Sequence, residues 1–319
     1  MPASTAFLFP GQGAQYVGMG MGLAGTFPVA ACTFREADAA FQRAGQAGPG
    51  SLSQLVFHGP EDALTLTEYA QPAILATSIA ACRVLAEKGI APDYVAGHSL
   101  GEYSANVAAG TLGFEDAVSI VRQRGQLMQS AVPVGTGAMA AILGADVDVV
   151  AQACEESRGV QIVSPANINA PGQVVIAGHA EAVQRASVRA RELGARKAIP
   201  LSVSAPFHCA LMQPAEEELA PRLRALRTSQ PRVPIVANVD GRPRTDAHAA
   251  IEALIRQVSA PVQWQACVEQ LLSLGVRRFV EVGPGAALSG MVKRIARDAT
   301  IVNFGAPEDL DEVMAACSN

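Results

Sequence analysis

The chain has few aromatic and few charged residues, and half of it is hydrophobic. Of its 319 residues, 5% are aromatic, 17% are charged and 50% are hydrophobic. A chain this rich in apolar residues is not intrinsically disordered, and its abundance of alanine, glycine and valine favours an α/β protein over an all-β one. The length allows either one large core or two smaller ones.

The sequence also lacks the segments that would direct it to a membrane, out of the cell or onto nucleic acid. No charged side chain precedes Arg35, so there is no basic segment of the kind that opens a secretory signal. The longest apolar stretch, residues 73–86, contains Arg83 and is too short to cross a bilayer. The formal net charge of −5 disfavours general nucleic-acid binding. We expect a cytoplasmic protein that binds neither membranes nor nucleic acid.

The six cysteines are scattered, without the Cys-x-x-C spacing of metal or redox sites. This arrangement is typical of reduced thiols in a cytosolic protein, and we expect no bound metal. Cys209 directly follows His208, but adjacent side chains on an extended chain point in opposite directions. We therefore do not take Cys209 as a catalytic nucleophile.

The most informative motif is Gly-His-Ser-Leu-Gly at residues 97–101, between an apolar segment at 94–96 and a helical pattern from residue 102. This order predicts a strand, a sharp turn and a helix, with the serine at the apex of the turn. Glycines are needed on either side because a side chain there would collide with the strand or the helix. The motif makes Ser99 the candidate nucleophile and the Leu100 amide a candidate oxyanion donor.

Hydrophobic patterns on both sides of the motif predict the remaining elements of a large α/β domain. The predicted strands lie at 6–9, 94–96, 233–237, 278–282 and 301–304, and the predicted helices at 29–43, 71–88, 114–131, 214–227, 247–258, 263–274 and 286–297. A short flexible loop is predicted at 45–51. We expect an α/β-hydrolase-like domain with a parallel sheet core, formed by residues 1–132 and 204–319.

A different pattern occupies the segment between these two parts. Here the patterns predict four strands and two helices. The strands lie at 138–143, 160–163, 173–177 and 195–203, and the helices at 146–157 and 179–193. Asn167 and Asn169 fall in the predicted loop between the second and third of these strands. The order β-α-β-β-α-β is the ferredoxin-like arrangement. We therefore predict an inserted ferredoxin-like small domain over residues 133–203.

Two arginines on the predicted helix at 114–131 differ in their surroundings. Arg124 shares an otherwise apolar stripe with Ala117, Val121 and Met128, whereas Arg122 falls on a polar face and is expected to be solvated. A buried arginine needs an acidic partner because an unpaired buried charge is costly. From the pattern alone, that partner is either a carboxylate elsewhere in the chain or a carboxylate on the substrate.

A serine hydroxyl needs a base before it can attack a carbonyl or a thioester at neutral pH. His98 is next to Ser99 but should point away from it, and His208 follows a predicted strand where loops of the two domains meet. A lone histidine is more often structural than catalytic, so the pattern alone does not select His208. The loop with Gln12 after the first strand either supplies a second oxyanion donor or is an ordinary turn.

Eight segments carry a resemblance to a known family: Phe-Pro-Gly-Gln-Gly-Ala-Gln at 9–15, Gly-His-Ser-Leu-Gly-Glu-Tyr at 97–103, Arg-Gly-Gln-Leu-Met-Gln at 124–129, Gly-Thr-Gly-Ala-Met-Ala-Ala-Ile-Leu-Gly at 135–144, Asn-Ile-Asn-Ala-Pro-Gly-Gln-Val-Val-Ile-Ala-Gly at 167–178, Pro-Phe-His-Cys at 206–209, Pro-Val-Gln-Trp at 261–264 and Glu-Val-Gly-Pro-Gly at 281–285. In this order they resemble the malonyl-CoA:acyl carrier protein transacylases. The match runs to about residue 305 of this chain.

The resemblance implies a ping-pong transfer without a cofactor or metal. Ser99 would take a malonyl group from malonyl-CoA, with His208 as the base, and the phosphopantetheine thiol of acyl carrier protein would then collect it. Gln12 and the Leu100 amide would be the oxyanion donors. Arg124 would bind the malonyl carboxylate, which favours the substrate as its acidic partner.

The resemblance assigns two further residues, and the acidity of the implied carrier protein points to a basic docking surface. The backbone carbonyl of Gln263 would orient His208, and Phe207 would disfavour an α-methyl substituent on the acyl group. The expected monomer would meet its acidic carrier protein at one of two basic groups, which are Arg189, Arg191, Arg196 and Lys197 on the small domain, and Lys293 and Arg294 on the large one.

Three other functions compete with malonyl transfer for fatty acid synthesis. A polyketide synthase acyltransferase acting in trans would use the same chemistry with another carrier protein. A serine esterase or thioesterase would share the nucleophile and base, but it has no use for a cation beside the acyl group. A non-catalytic binding protein is the poorest fit, because candidates for nucleophile, base and acyl-binding cation are all present.

Overall fold

A computed structural model describes residues 4–43, 50–133, 135–203 and 205–318. Most of the loop predicted at 45–51, and residue 204 at the predicted domain boundary, lie outside the described residues. The strands are β1 Ser4–Phe9, β2 Tyr94–Gly97, β3 Gly137–Leu143, β4 Val163–Ala170, β5 Gln173–His179, β6 Lys197–Pro200, β7 Ile235–Val236, β8 Pro243–Arg244, β9 Val276–Val282 and β10 Thr300–Phe304.

The helices follow the predicted order, with additional short ones. They are α1 Met21–Thr26, α2 Pro28–Arg43, α3 Leu52–His58, α4 Glu61–Thr65, α5 Thr67–Glu87, α6 Gly101–Ala108, α7 Phe114–Ser130, α8 Val147–Arg158, α9 Ala180–Glu192, α10 Gln213–Arg224, α11 Ala247–Gln257, α12 Trp264–Ser273, α13 Ala287–Ile295 and α14 Leu310–Cys317. Single 3-10 turns lie at Ala210–Met212 and Pro307–Asp309. No hydrophobic pattern in the sequence predicts α1, α3, α4, α14 or β8.

A six-stranded sheet with the order β10-β9-β1-β2-β7-β8 forms the centre of the larger part of the fold. All neighbours in it are parallel except β7 and β8, which confirms the predicted α/β class with a parallel sheet. In the pairing of β1 with β2, Phe9 lies level with Gly97. The carboxyl ends of these two strands therefore meet at one edge, which brings the loop after β1 beside the turn that carries Ser99.

A four-stranded antiparallel sheet with the order β4-β5-β3-β6 forms the smaller part. Helices α8 and α9 pack against it, and its core contains the side chains of Ile142, Val150, Ile176 and Val183. The predicted succession of strands and helices is confirmed. The last strand, β6, is shorter than the 195–203 predicted for it.

The prediction that Asn167 and Asn169 lie in a loop is wrong, because both are in β4. This strand is bonded on both of its sides, which holds the backbone extended up to Ala170. On one side it pairs with β5, and on the other the amide of Ile168 donates to the carbonyl of Val262, 2.9 Å away. The same contact attaches the small sheet to the segment before α12.

Helix α7 is covered on more than one side, and this explains an error at Arg122. That side chain is 2% exposed rather than solvated. Its guanidinium carbon lies 4.1 Å above the ring centre of Phe41, and Nη1 donates to the Phe41 carbonyl at 3.0 Å. A single apolar stripe predicts one buried face, whereas α2, α5 and α10 all pack against α7.

Among the described helices, α5 alone is long and apolar enough to cross a bilayer by length and composition. Of its most apolar window, 78% is buried inside the fold. The helix packs against α2, α6 and α7, as the core helix of a folded domain does.

Candidate active site

Ser99 lies at the apex of the turn between β2 and α6, as predicted. Its backbone has a φ of 52°, a conformation that non-glycine residues rarely adopt. The neighbouring glycines are required by close main-chain approaches, because a Cβ on Gly97 would overlap the main chain of Gly101, and one on Gly101 would overlap the Phe9 carbonyl. This strained turn exposes the hydroxyl to a cavity at the carboxyl edge of the sheet.

His208 contacts Ser99, the predicted nucleophile, directly. Its Nε2 lies 2.7 Å from the Oγ of Ser99, and its Nδ1 lies 2.9 Å from the backbone carbonyl oxygen of Gln257. With Nδ1 donating to that carbonyl, Nε2 is the nitrogen free to accept the hydroxyl proton. The structure thus brings together the predicted nucleophile and the predicted base.

The prediction that the Gln263 carbonyl orients His208 is wrong, because the Gln257 carbonyl occupies that position. The carbonyl of Gln263 instead accepts the amide of Cys267 at 3.0 Å, at the start of α12. Gln257 is the last residue of α11, where a carbonyl has no partner in its own helix and is available to the imidazole.

The surroundings of His208 strongly favour its neutral form. Burial and, after it, the nearby Arg124 cation lower its pKa to about 3, against the opposing effect of the Gln257 carbonyl. The imidazole is therefore available as a base over the whole neutral range. A negative charge arriving beside Arg124 would offset the cation and make protonation easier.

Arg124 is buried on α7, as predicted, with 1% of its surface exposed. Its Nη1 donates to the Oε1 of Gln71 at 2.8 Å, and its Nη2 donates to the Oε1 of Gln257 at 2.9 Å and to the Oγ of Ser99 at 3.2 Å. Within the described part of the chain, its hydrogen-bond partners are thus amides and a hydroxyl, not a carboxylate. Burial lowers the pKa of Arg124 from its ordinary value.

A buried polar network lies behind the serine turn. The Oδ1 of Asn238 accepts the Ser99 amide and its Nδ2 donates to the Gly97 carbonyl, both at 2.7 Å. The Oε2 of Glu102 accepts the Asn238 amide at 3.0 Å and the Nε2 of Gln257 at 2.8 Å. Burial raises the pKa of Glu102 to about 7. These bonds hold the elbow, the end of α11 and the segment after β7 together.

The two predicted oxyanion donors lie on adjacent loops at the same edge of the sheet. Leu100 directly follows Ser99 and is the residue before α6, and Gln12 follows β1, with its Nε2 donating to the Oγ1 of Thr67 at 3.2 Å. Both line the cavity that Ser99 faces. Their placement is compatible with amide donors pointing at a shared oxyanion.

The cavity in front of Ser99 has a volume of about 250 Å³. Its apolar lining includes Phe207, which is buried and also packs in the main core, together with Met128, Met139 and Leu201. Both parts of the fold contribute, since Asn167 and Met139 belong to the small sheet, whereas Ser99 lies in the turn after β2 of the large one. A small acyl group in this cavity would be enclosed between the two parts of the fold.

Two residues near the nucleophile have other roles, as predicted. The Nε2 of His98 bonds the Oδ1 of Asn169 at 2.8 Å, away from Ser99, and its ring lies 5.6 Å from that of Trp264. The Sγ of Cys209 donates to the Pro206 carbonyl at 3.1 Å, and burial raises the pKa of this thiol to about 11.

All six cysteines are free thiols. No group of three potential metal ligands occurs within the described ranges.

Four residues of the site are not predicted from the sequence: Gln71, Glu102, Asn238 and Gln257. Each acts through an amide, a main-chain group or a buried carboxylate, and each lies far along the chain from at least one of its partners. Only Glu102 lies within a motif that was singled out, the segment 97–103, and there it had no partner to indicate a role.

The comparisons with known proteins agree with this geometry. The model of the acyl transferase domain matches residues 6–309. A malonyl CoA-acyl carrier protein transacylase of Salmonella typhimurium is 48% identical over 310 residues, which cover 97% of this chain and 98% of the relative.

Two solved structures share the fold over nearly their whole length. An acyl carrier protein S-malonyltransferase from Vibrio cholerae superposes with a TM-score of 0.93 at 46% identity, covering 98% of this chain and 100% of the other. A malonyl-transacylase in complex with a type II PKS acyl-carrier protein superposes with a TM-score of 0.94 at 45% identity, covering 99% and 100%. Because the model of the acyl transferase domain matches nearly the whole chain, residues 6–309, the chain belongs to the acyl transferase family.

Proposed function

We propose that this protein transfers a malonyl group from malonyl-CoA to the phosphopantetheine thiol of an acyl carrier protein, supplying extender units for fatty acid synthesis. The observation that carries the proposal is the buried guanidinium of Arg124, 3.2 Å from the Oγ of Ser99 and bonded to amides. A cation in that position suits an acyl group that ends in a carboxylate. The names of the Salmonella and Vibrio relatives support the same substrate.

In the first half-reaction, the Oγ of Ser99 attacks the thioester carbonyl while the Nε2 of His208 takes the hydroxyl proton. When the tetrahedral intermediate collapses, the carbon–sulfur bond breaks and His208 returns the proton to the sulfur of coenzyme A. The malonyl group remains as an ester on Ser99. We assign the Leu100 amide and Gln12 as the donors that stabilise the oxyanion.

In the second half-reaction, the carrier thiol attacks this ester and His208 takes the thiol proton. Collapse of the second intermediate breaks the ester bond and returns the proton to the Oγ of Ser99. Arg124 holds the malonyl carboxylate throughout. Every group in this sequence is a side chain or a main-chain amide of the protein, so the reaction as proposed needs neither a cofactor nor a metal.

We extend the proposal to the architecture. The order β4-β5-β3-β6, with helices between the first and second and between the third and fourth strands in chain order, supports a ferredoxin-like small domain over residues 133–203. The strand-turn-helix at Ser99 supports a hydrolase-like domain over 1–132 and 204–319. We further propose that the enzyme acts as a monomer in the cytoplasm and that Phe207 disfavours α-branched acyl groups.

The basic residues of the small domain are proposed as the docking site for the carrier protein. Arg196 and Lys197 are exposed at the start of the edge strand β6, whereas Arg189 is paired with Glu156 and Glu192. Neutralised by two carboxylates, Arg189 contributes little to attracting an acidic partner. Lys293 and Arg294 at the end of α13 form the alternative surface.

Intact-mass analysis tests the function. After mixing with malonyl-CoA, the wild type should gain one malonyl group and lose it to the holo carrier protein, and Ser99→Ala should gain none. The absence of an adduct would overturn the proposal. An adduct that passes only to water would instead favour the esterase or thioesterase alternative.

A second function, malonyl transfer to a polyketide carrier protein, is favoured by one comparison. The malonyl-transacylase in complex with a type II PKS acyl-carrier protein is 45% identical to this chain. The catalytic chemistry would be the same, so the distinction lies in the carrier. Rates of transfer from the malonyl-enzyme to a fatty acid carrier and to a type II polyketide carrier would separate the two.

A further inference from the structure

Gln257 contacts both the base and the cation of the site, with different parts of the residue. Its backbone carbonyl accepts a hydrogen bond from the Nδ1 of His208, and its side-chain Oε1 accepts one from the Nη2 of Arg124, both at 2.9 Å. The residue is completely buried. Its main chain therefore serves His208 whatever the side chain is, while its side chain serves Arg124.

The side-chain amide of Gln257 has one orientation that satisfies its neighbours. Its Nε2 donates to the carbonyl of Ser99 and to the Oε2 of Glu102, each 2.8 Å away. In the reverse orientation the amide nitrogen would face the guanidinium, and the amide oxygen would face two other acceptors. Glu102, itself fixed by the Asn238 amide at 3.0 Å, thus helps to determine which atom of Gln257 faces Arg124.

We propose that Gln257 and Glu102 are positioning residues that set the preference of the site for acyl groups carrying a carboxylate. The inference rests on the proposed malonyl transfer, in which Arg124 binds that carboxylate. If Oε1 of Gln257 is removed, the Nη2 of Arg124 keeps only the Oγ of Ser99, 3.2 Å away. The guanidinium then lacks one of the two amide oxygens that hold it. Its Nη2 binds the Oγ of Ser99 instead of facing the carboxylate of the acyl group.

The two functions of Gln257 predict a selective defect. An acetyl group has no carboxylate, so its transfer depends on Ser99 and His208 but not on the position of Arg124. A change in the Gln257 side chain leaves the carbonyl that holds His208 in place. Malonyl transfer should therefore decline while acetyl transfer is largely spared.

The test uses Gln257→Met, which keeps the length and the backbone carbonyl but removes the amide. Rates of acyl-enzyme formation from malonyl-CoA and from acetyl-CoA are measured by quenched-flow mass spectrometry. We expect the malonyl-to-acetyl ratio of kcat/KM to fall about tenfold, mainly through a higher KM for malonyl-CoA, because a hydrogen bond to a charged group is lost. Glu102→Gln should lower the ratio in the same direction.

A double-mutant cycle shows whether Gln257 acts through Arg124. In an Arg124→Ala background, Gln257→Met should not lower the ratio further. Glu281→Gln is the matched control for Glu102→Gln, because Glu281 is also a buried carboxylate but accepts the amides of Leu288 and Ser289 at the start of α13. Its removal should leave the ratio unchanged.

An equal loss of malonyl and acetyl transfer in Gln257→Met would mean that the side chain merely supports the elbow, and it would overturn the inference. So would an unchanged ratio, or a further drop in the Arg124→Ala background. If Gln257→Met does not fold, Glu102→Gln in both backgrounds carries the same test. A wild type that forms no malonyl ester would overturn the proposed function instead.

Discussion

The Nη2 of Arg124 lies 3.2 Å from the Oγ of Ser99, so a buried cation sits beside the nucleophile. This cation also opposes protonation of His208, since it is, after burial, the second cause that lowers the pKa of this residue to about 3. A carboxylate bound by Arg124 would cancel part of that repulsion, so a malonyl substrate would help His208 to accept the proton. The residue proposed to recognise the substrate is thus coupled electrostatically to the base.

Arg124→Ala should remove most malonyl transfer and spare acetyl transfer. Losing one partner of a buried, hydrogen-bonded charge pair costs about 2–5 kcal/mol, so kcat/KM for malonyl-CoA should fall by roughly 30-fold or more. Acetyl-CoA makes no such pair, and its kcat/KM should stay the same or rise. Acyl-enzyme formation from both thioesters is the measurement.

Arg122→Ala is the matched control on the same helix. Arg122 is also buried, but it stacks on Phe41 and bonds the Phe41 carbonyl. Its loss should lower the melting temperature without changing the malonyl-to-acetyl ratio. Unchanged malonyl kinetics in Arg124→Ala would refute the assigned role of that residue.

The pH dependence of acetyl transfer should report the lowered pKa of His208. With its pKa near 3 rather than 6.5, His208 stays neutral and active well below pH 6, so the rate of acetyl-enzyme formation should show no decline around pH 6.5. In Arg124→Ala the repelling cation is gone, the pKa of His208 rises, and the acidic decline should move to higher pH. A wild-type decline centred near pH 6.5 would contradict this account.

The sequence predicts the parts of this site that a local pattern encodes. Ser99 is predicted by the strand, the paired glycines and the helix around it, and the burial of Arg124 by its apolar stripe. No local pattern predicts which group orients His208, because every residue has a backbone carbonyl that could accept its Nδ1 hydrogen. Only the packing of α11 against the site decides that Gln257 supplies it rather than Gln263.

Local sequence patterns also do not show which faces of a helix or strand are buried by segments that are distant in the chain. The polar helix face predicts a solvated Arg122, yet α2 brings Phe41 over it from far along the chain. Asn167 and Asn169 resemble loop residues, but pairing on both sides holds them in β4. Where the tertiary structure supplies hydrogen-bond partners, it overrides the preference read from composition.

Phe207→Ser should widen the acyl specificity. The ring lines the cavity beside His208, and removing it makes room for an α-methyl group. A single contact of this kind is worth about 1–3 kcal/mol, so kcat/KM for methylmalonyl-CoA relative to malonyl-CoA should rise roughly 10- to 100-fold. Phe207→Leu, which keeps most of the apolar volume, should shift the ratio much less. No relative gain for methylmalonyl-CoA in Phe207→Ser would mean that Phe207 only packs the core.

Reversing Arg196 and Lys197 to glutamate should separate the two half-reactions. Both residues are exposed at the start of β6, and opposite charges there would repel an acidic carrier protein. Malonyl-enzyme formation from malonyl-CoA should be unchanged, while transfer to the holo carrier should slow by about tenfold at low salt and less at high salt, because salt screens exposed charges.

The matched control reverses Lys293 and Arg294 at the end of α13. If that control slows transfer and the Arg196 and Lys197 pair does not, the carrier docks on the large domain. Equal loss of both half-reactions would show that the reversal disturbs the enzyme rather than its docking.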